Sequence, residues 1–136
     1  MLRKLEAEGY IKKLSSSPRQ VEESIKLAER DLEVAKTVLN KNYDWAFNIA
    51  YNSILQCIRA LMFEKCYRPS SRNSHVATVK FAKIFLDESD ILYFDRMRRK
   101  RHHAVYDTAG TISKNEAENA ISRAESIIEK VKNLIE

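Results

Sequence analysis

A chain of 136 residues, 44% of them hydrophobic, is sized for one domain with a modest core, spanning residues 1–136. Two glycines, two prolines and no run of closely spaced turn signals argue against an all-β fold and for an all-α one. A formal charge of +5 permits contact with nucleic acid or nucleotides, while Cys57 and Cys66 are too few for a disulfide scaffold or a zinc site.

Residues 1–14 form a short amphipathic segment carrying Leu2, Leu5, Tyr10, Ile11 and Leu14, with Gly9 as a break. Residues 1–16 are expected to be an N-terminal extension packed on the body. The start, Met1-Leu2-Arg3-Lys4-Leu5-Glu6, is too charged for a secretory leader, and no apolar run reaches membrane-spanning length. A soluble cytoplasmic protein with no membrane partner is expected.

Ser17, Pro18 and Gln20 make a capping-box start for a helix running to about Asn40, with Val21, Ile25, Ala28, Leu32 and Ala35 on its apolar stripe. After Asn40-Lys41-Asn42, a second helix runs from about Asp44 to Lys65. Its apolar face is wide, so it is expected to be the most buried element. Cys57 there reads as a small core residue, Tyr51 as core or interface, and Trp45 as a packing anchor rather than a base-stacking platform. Arg68-Pro69-Ser70-Ser71-Arg72-Asn73 reads as a loop. A shorter helix covers His75 to Leu86, and His75 reads as a capping or loop-packing residue. The acidic break Asp87-Glu88-Ser89-Asp90 suits the start of a fourth helix that ends near Tyr106. Thr108-Ala109-Gly110-Thr111 is a turn. Ser113 and Glu116 form a second capping box, opening a last helix with a regular seam from Ala117 to Ile135. Four principal helices plus a shorter one, joined by short loops, predict an up-and-down antiparallel four-helix bundle with an extra short helix.

The fourth helix holds the only dense polar constellation. Arg96, Arg98, Arg99, Lys100 and Arg101 put five cations into six positions, and His102 and His103 follow. At about 100° per residue, Phe94, Met97, Ala104 and Val105 share one apolar stripe, with Arg101 in its middle and Arg98 on its edge. Arg96, Arg99, Lys100 and His103 project away and read as a solvated face. An inward arginine needs an anionic partner or a polar cleft, because a buried unpaired charge is costly. A carboxylate such as Glu64 could supply the partner. Asp95, three residues before Arg98, can orient it, and His102 neighbours both Arg98 and Tyr106 at a spacing of four. No Gly-rich phosphate loop, His-Glu-x-x-His or paired-cysteine spacing occurs. Adjacent His102 and His103 point apart, so no metal or cofactor is expected.

The run Asp44-Trp45-Ala46-Phe47-Asn48-Ile49-Ala50-Tyr51, then Ala60-Leu61, Lys65-Cys66-Tyr67-Arg68-Pro69 and His75, resembles the second helix and exit loop of the HEPN superfamily. These are small helical proteins of prokaryotes, and the resemblance spans most of the chain. The family hallmark is an arginine, usually followed by a polar residue, with a histidine four to six residues downstream. Two registers fit. In one, Arg101 is the motif arginine, His102 the polar follower, and Tyr106 stands where histidine is usual. In the other, Arg98 pairs with His103, or Arg96 with His102 or His103. The first keeps the arginine on the inward stripe and is preferred.

The resemblance implies a symmetric homodimer whose two motifs meet in a cleft. In active members, which are metal-independent ribonucleases, the arginine would hold the scissile phosphate and the histidine would help the 2′-hydroxyl attack it. Other members pair with a small nucleotidyltransferase, often as a toxin–antitoxin system. Carried onto this chain, Arg98, Arg101 and His102 would bind phosphate or nucleotide, Asp95 would orient Arg98, and Arg101, His102 and Tyr106 would carry any catalysis. A phenol with an unperturbed pKa of about 10 is a poor general base at neutral pH. Tyr106 therefore favours a module that binds nucleotide, RNA phosphate or a partner over an active endoribonuclease toxin, with a purely structural bundle ranked third.

Overall fold

The computed structural model describes residues 1–70, 74–106 and 109–135, and the side chains of these except 103–106. It is an all-α architecture with one very small sheet. In chain order the elements are α1 (Leu2–Ala7), β1 (Ile11–Lys13), α2 (Pro18–Val38), α3 (Tyr43–Glu64), β2 (Tyr67–Pro69), α4 (Ser74–Phe85), α5 (Glu88–Tyr106) and α6 (Lys114–Ile135).

Local chemistry sets the starts of the long helices. The Ser17 hydroxyl accepts from the Gln20 amide, the Gln20 side chain accepts from the Ser17 amide, and Pro18 occupies the first helical turn, so α2 begins where the capping box places it. Asn42 caps α3 by accepting from the Trp45 amide at 2.9 Å. Ser113 and Glu116 repeat the reciprocal cap at α6.

Helix α3 is the central element. Ala46, Phe47, Ala50, Tyr51, Ile54, Leu55, Ile58, Leu61 and Met62 are all buried on it, and it packs against α2, α5 and α6. Alanines at 28 and 35 of α2 and at 117, 120 and 124 of α6 are fully buried and let the backbones approach closely. Cys57 is buried too, and burial pushes its thiol well above the ordinary range, away from thiolate chemistry. Trp45 departs from the packing role expected of it: its residue is 55% exposed, while its neighbours Ala46 and Phe47 face the core.

The N-terminal segment is not one helix. After α1, Gly9 takes φ +83°, a left-handed conformation that glycine adopts without a Cβ clash, and the chain turns into β1. β1 pairs antiparallel with β2 in the register Ile11↔Pro69, Lys12↔Arg68 and Lys13↔Tyr67. Arg68 and Pro69, expected in a loop, are therefore in a strand. The proline is tolerated because a two-stranded ribbon leaves one edge of each strand unpaired. Residues 71–73 of that expected loop lie outside the described residues. Ile11 of β1 is buried.

Candidate functional site

Helix α5 runs past α3, with Phe94 and Met97 buried against the body. Three cations on it find different uses. Lys100 forms an ion pair with Glu116, tying α5 to the capped start of α6. Arg98 is held by Asp95, whose carboxylate accepts from its Nε at 2.9 Å, as the three-residue spacing predicts. Arg101 turns toward α3: its Nε donates to Asn48 Oδ1 at 2.7 Å, and its guanidinium carbon lies 5.6 Å from the centre of the Tyr51 ring. The expected carboxylate Glu64 is exposed near the far end of α3 and pairs with Lys65 instead. A neutral amide and an aromatic face both help to orient the guanidinium.

Tyr51 links α3 to α4. Its hydroxyl is hydrogen-bonded to His75 Nδ1 at 2.9 Å, and the two rings stack with centres 5.8 Å apart. Phe94 of α5 also packs against Tyr51, with ring centres 5.5 Å apart. Burial drives the Tyr51 phenol far above its usual range, against the pull of Arg101 and Arg98, so it stays protonated. Burial, then the nearby Arg101, Arg59 and Arg98, holds His75 below its ordinary value. The imidazole is thus neutral at pH 7, with Nδ1 committed to Tyr51 and Nε2 as the nitrogen through which it can address a ligand.

His75, Arg98, Arg99, Arg101 and His102 together line an open cleft of about 590 Å³. Among the described residues, no carboxylate lies on its wall. Arg99 is exposed, as expected of a solvated face, and also borders this cleft, with its guanidinium 3.7 Å from Asp95. The side chains of His103, Ala104, Val105 and Tyr106 lie outside the described residues, and with them the alternative registers and the Tyr106 role. Asp44, on the first turn of α3, accepts from the amides of Gly110 at 2.6 Å and Ile112 at 3.2 Å. Gly110 has φ +75°, so this turn too depends on glycine's freedom.

Asn48, Tyr51 and Arg59 were not singled out from the chain as site residues. Spacings of three and eight put all three on neighbouring positions of one face of α3, and polar residues interrupting a wide apolar face are the available signal. Arg59 Nε is buried without a hydrogen-bond partner among the described residues. Another groove, of about 520 Å³ between the start of α2 and the ends of α3 and α6, is walled by Val21, Ile25, Phe63 and Ile135 and gathers no comparable set of cations. Among the described residues no cluster of His, Cys, Asp and Glu is placed to hold a metal ion, and no helix is long and apolar enough to cross a membrane.

The family model of the HEPN domain matches residues 21–134. The chain belongs to the HEPN domain family. A relative of this HEPN chain from Methanocaldococcus jannaschii, named "putative toxin", is 31% identical over 121 residues, covering 84% of this chain and 80% of the relative. A solved structure from Thermus thermophilus superposes with a TM-score of 0.68 at 15% identity, covering 84% of this chain and 97% of that one. An archaeal HEPN homologue gives 0.66 at 22% identity, with 85% and 98% covered. At these identities the two structures establish the fold of the HEPN chain, and its cationic cleft is read from its own residues.

Proposed function

We propose that this HEPN protein is a component of a toxin–antitoxin-type system that binds the phosphates of RNA or nucleotide in the cleft beside α5. The observation that carries this reading is convergence. Arg98, Arg99, Arg101, His102 and His75 come from two helices onto one wall, with no carboxylate among its described residues. A planar guanidinium pre-oriented by Asn48 and Tyr51 presents donors to phosphate oxygens with little ordering left to do. The name of the Methanocaldococcus jannaschii relative supports the toxin-system setting. The protein acts as a homodimer that brings two such clefts together, and a small nucleotidyltransferase is the partner class the family resemblance implies.

The test is anisotropy of a labelled single-stranded RNA in EDTA. Binding should weaken steeply with salt, as phosphate contacts require. Arg101→Ala should weaken it about 10- to 100-fold, the range of one lost charge-assisted contact. An absence of binding at low salt removes this reading. A monomer by light scattering at micromolar concentration removes the paired-cleft arrangement.

One observation favours a second reading, a metal-independent endoribonuclease. His75 is a neutral imidazole on the same wall as Arg101, and in the tautomer whose Nδ1–H donates to the Tyr51 hydroxyl oxygen its Nε2 is a proton acceptor beside the phosphate clamp, even though Tyr106 stands at the usual histidine position of the motif. Cleavage in EDTA that disappears in Arg101→Ala supports it, and cleavage indifferent to that change is contamination.

A further inference from the structure

Trp45 is the chain's single tryptophan and is 55% exposed on the first turn of α3. Its position relative to the cleft is constrained from two directions. Asn48, which grips Arg101, lies three residues on, one turn or about 4.5 Å along the helix and some 60° around it. Asp44, the residue immediately before Trp45, holds the amides of Gly110 and Ile112 in the segment that leaves α5. The cationic end of α5 therefore passes the turn of α3 that displays the indole. Tyr43, also partly exposed, precedes Asp44 on the same turn. A large exposed aromatic one helical turn from the residue that grips Arg101 supplies, with that arginine, the two parts of a single-strand binding surface: charge for the backbone and a flat π-face for a base.

We propose that Trp45 is a stacking platform for an unpaired nucleobase of an RNA strand whose phosphate occupies the cleft at Arg101. This rests on the phosphate-binding reading above and extends it from the backbone to the base. The ligand it selects is single-stranded RNA, since bases within a duplex have no free face to offer the indole. Affinity then has two separable parts, one set by phosphates and Arg101, the other by a base and Trp45.

The experiment uses the intact protein and two probes: a short single-stranded RNA and an oligonucleotide of equal length with the same phosphate backbone but no bases. Binding is followed by anisotropy of an end label and by tryptophan emission, which reports position 45 alone. The RNA should quench the emission, and the abasic strand should bind without quenching and about 5- to 150-fold more weakly, the worth of one stacked base. Trp45→Ala should bring RNA down to the abasic affinity, and Trp45→Phe should recover part of the difference. Because quenching is read on the unsubstituted protein, the result does not hinge on a variant's folding. RNA that binds with no change in emission, equally well in Trp45→Ala, overturns the platform and leaves the phosphate site intact. If neither strand binds, the phosphate reading fails and the platform with it. Emission that shifts with protein concentration and ignores RNA places the indole between copies of the chain and also overturns the proposal.

Discussion

At the scale of the residue, Arg101 shows what helical spacing can and cannot specify. A 3.6-residue period places it between Phe94, Met97 and the last turn of α5, hence facing the body. The period contains nothing about what stands opposite. In the folded chain an amide oxygen and an aromatic face stand against the half-exposed guanidinium and help to hold it in a chosen plane. His75 was legible only as a histidine near a helix start, and its pairing with Tyr51 is a contact across 24 positions of sequence. That environment has a measurable consequence. The folded-state pKa of His75 is lowered, chiefly by burial, with Arg59 on α3 and Arg98 and Arg101 on α5 adding to it. The unfolded chain therefore takes up the proton first as pH falls, and the stability held above about pH 6.5 declines below it. Thermal midpoints measured from about pH 7 to 5 should fall less steeply in His75→Gln than in the unsubstituted protein. Parallel curves would mean that His75 is not the group involved.

At the scale of the element, boundaries were legible where a short-range hydrogen bond sets them. The pairs Ser17–Gln20 and Ser113–Glu116 need only three residues of sequence, and both form. Ser17→Ala and Ser113→Ala should each lower stability by about 1 kcal/mol in urea denaturation. No change in either would show that water serves those amides equally well. The end of α3 was legible to within one residue, but the left-handed turn that follows it was not. The helix stops at Glu64, Cys66 takes a left-handed φ of 65°, and the chain enters β2. A cysteine is an uncommon occupant of that conformation, which glycine or asparagine usually fills, so the sequence carried no signal for that left-handed turn. The β1–β2 ribbon was missed for a related reason. Each strand is three residues long, too short for a period-two pattern, and each exists only because the other, more than 50 residues away, supplies its hydrogen bonds.

At the scale of the whole molecule, polar side chains decide how the bundle is locked. Asp90, at the start of α5, is 1% exposed and receives Lys130 at 2.6 Å and Arg123 at 2.9 Å, both from α6. Together with Lys100–Glu116 it fastens α5 to α6 at two heights, which holds the cationic face of α5 over α3. Asp90→Asn removes the carboxylate partner of Arg123 and one of the two held by Lys130, which keeps Asp87 at 3.1 Å, and should cost about 1–3 kcal/mol. The urea midpoint should drop while the slope of the transition stays constant, since the surface exposed on unfolding is unchanged. An unshifted midpoint would mean that the apolar seam alone sets the docking of these helices. Asp90 was legible only as one acid in a helix-starting run, because its partners lie 33 and 40 residues away.

Residue order alone determined the helical class, the number and approximate limits of the long helices, both capping boxes and the inward aim of Arg101. Each of these depends on interactions within one or two turns, where spacing dictates geometry. Only the tertiary structure decided that Asn48 and Tyr51 receive that arginine, that His75 shares its cleft, that Arg99 joins the wall and that Trp45 faces outward. Those outcomes depend on which helix faces meet, and that is set by the summed packing of the whole core rather than by any local pattern.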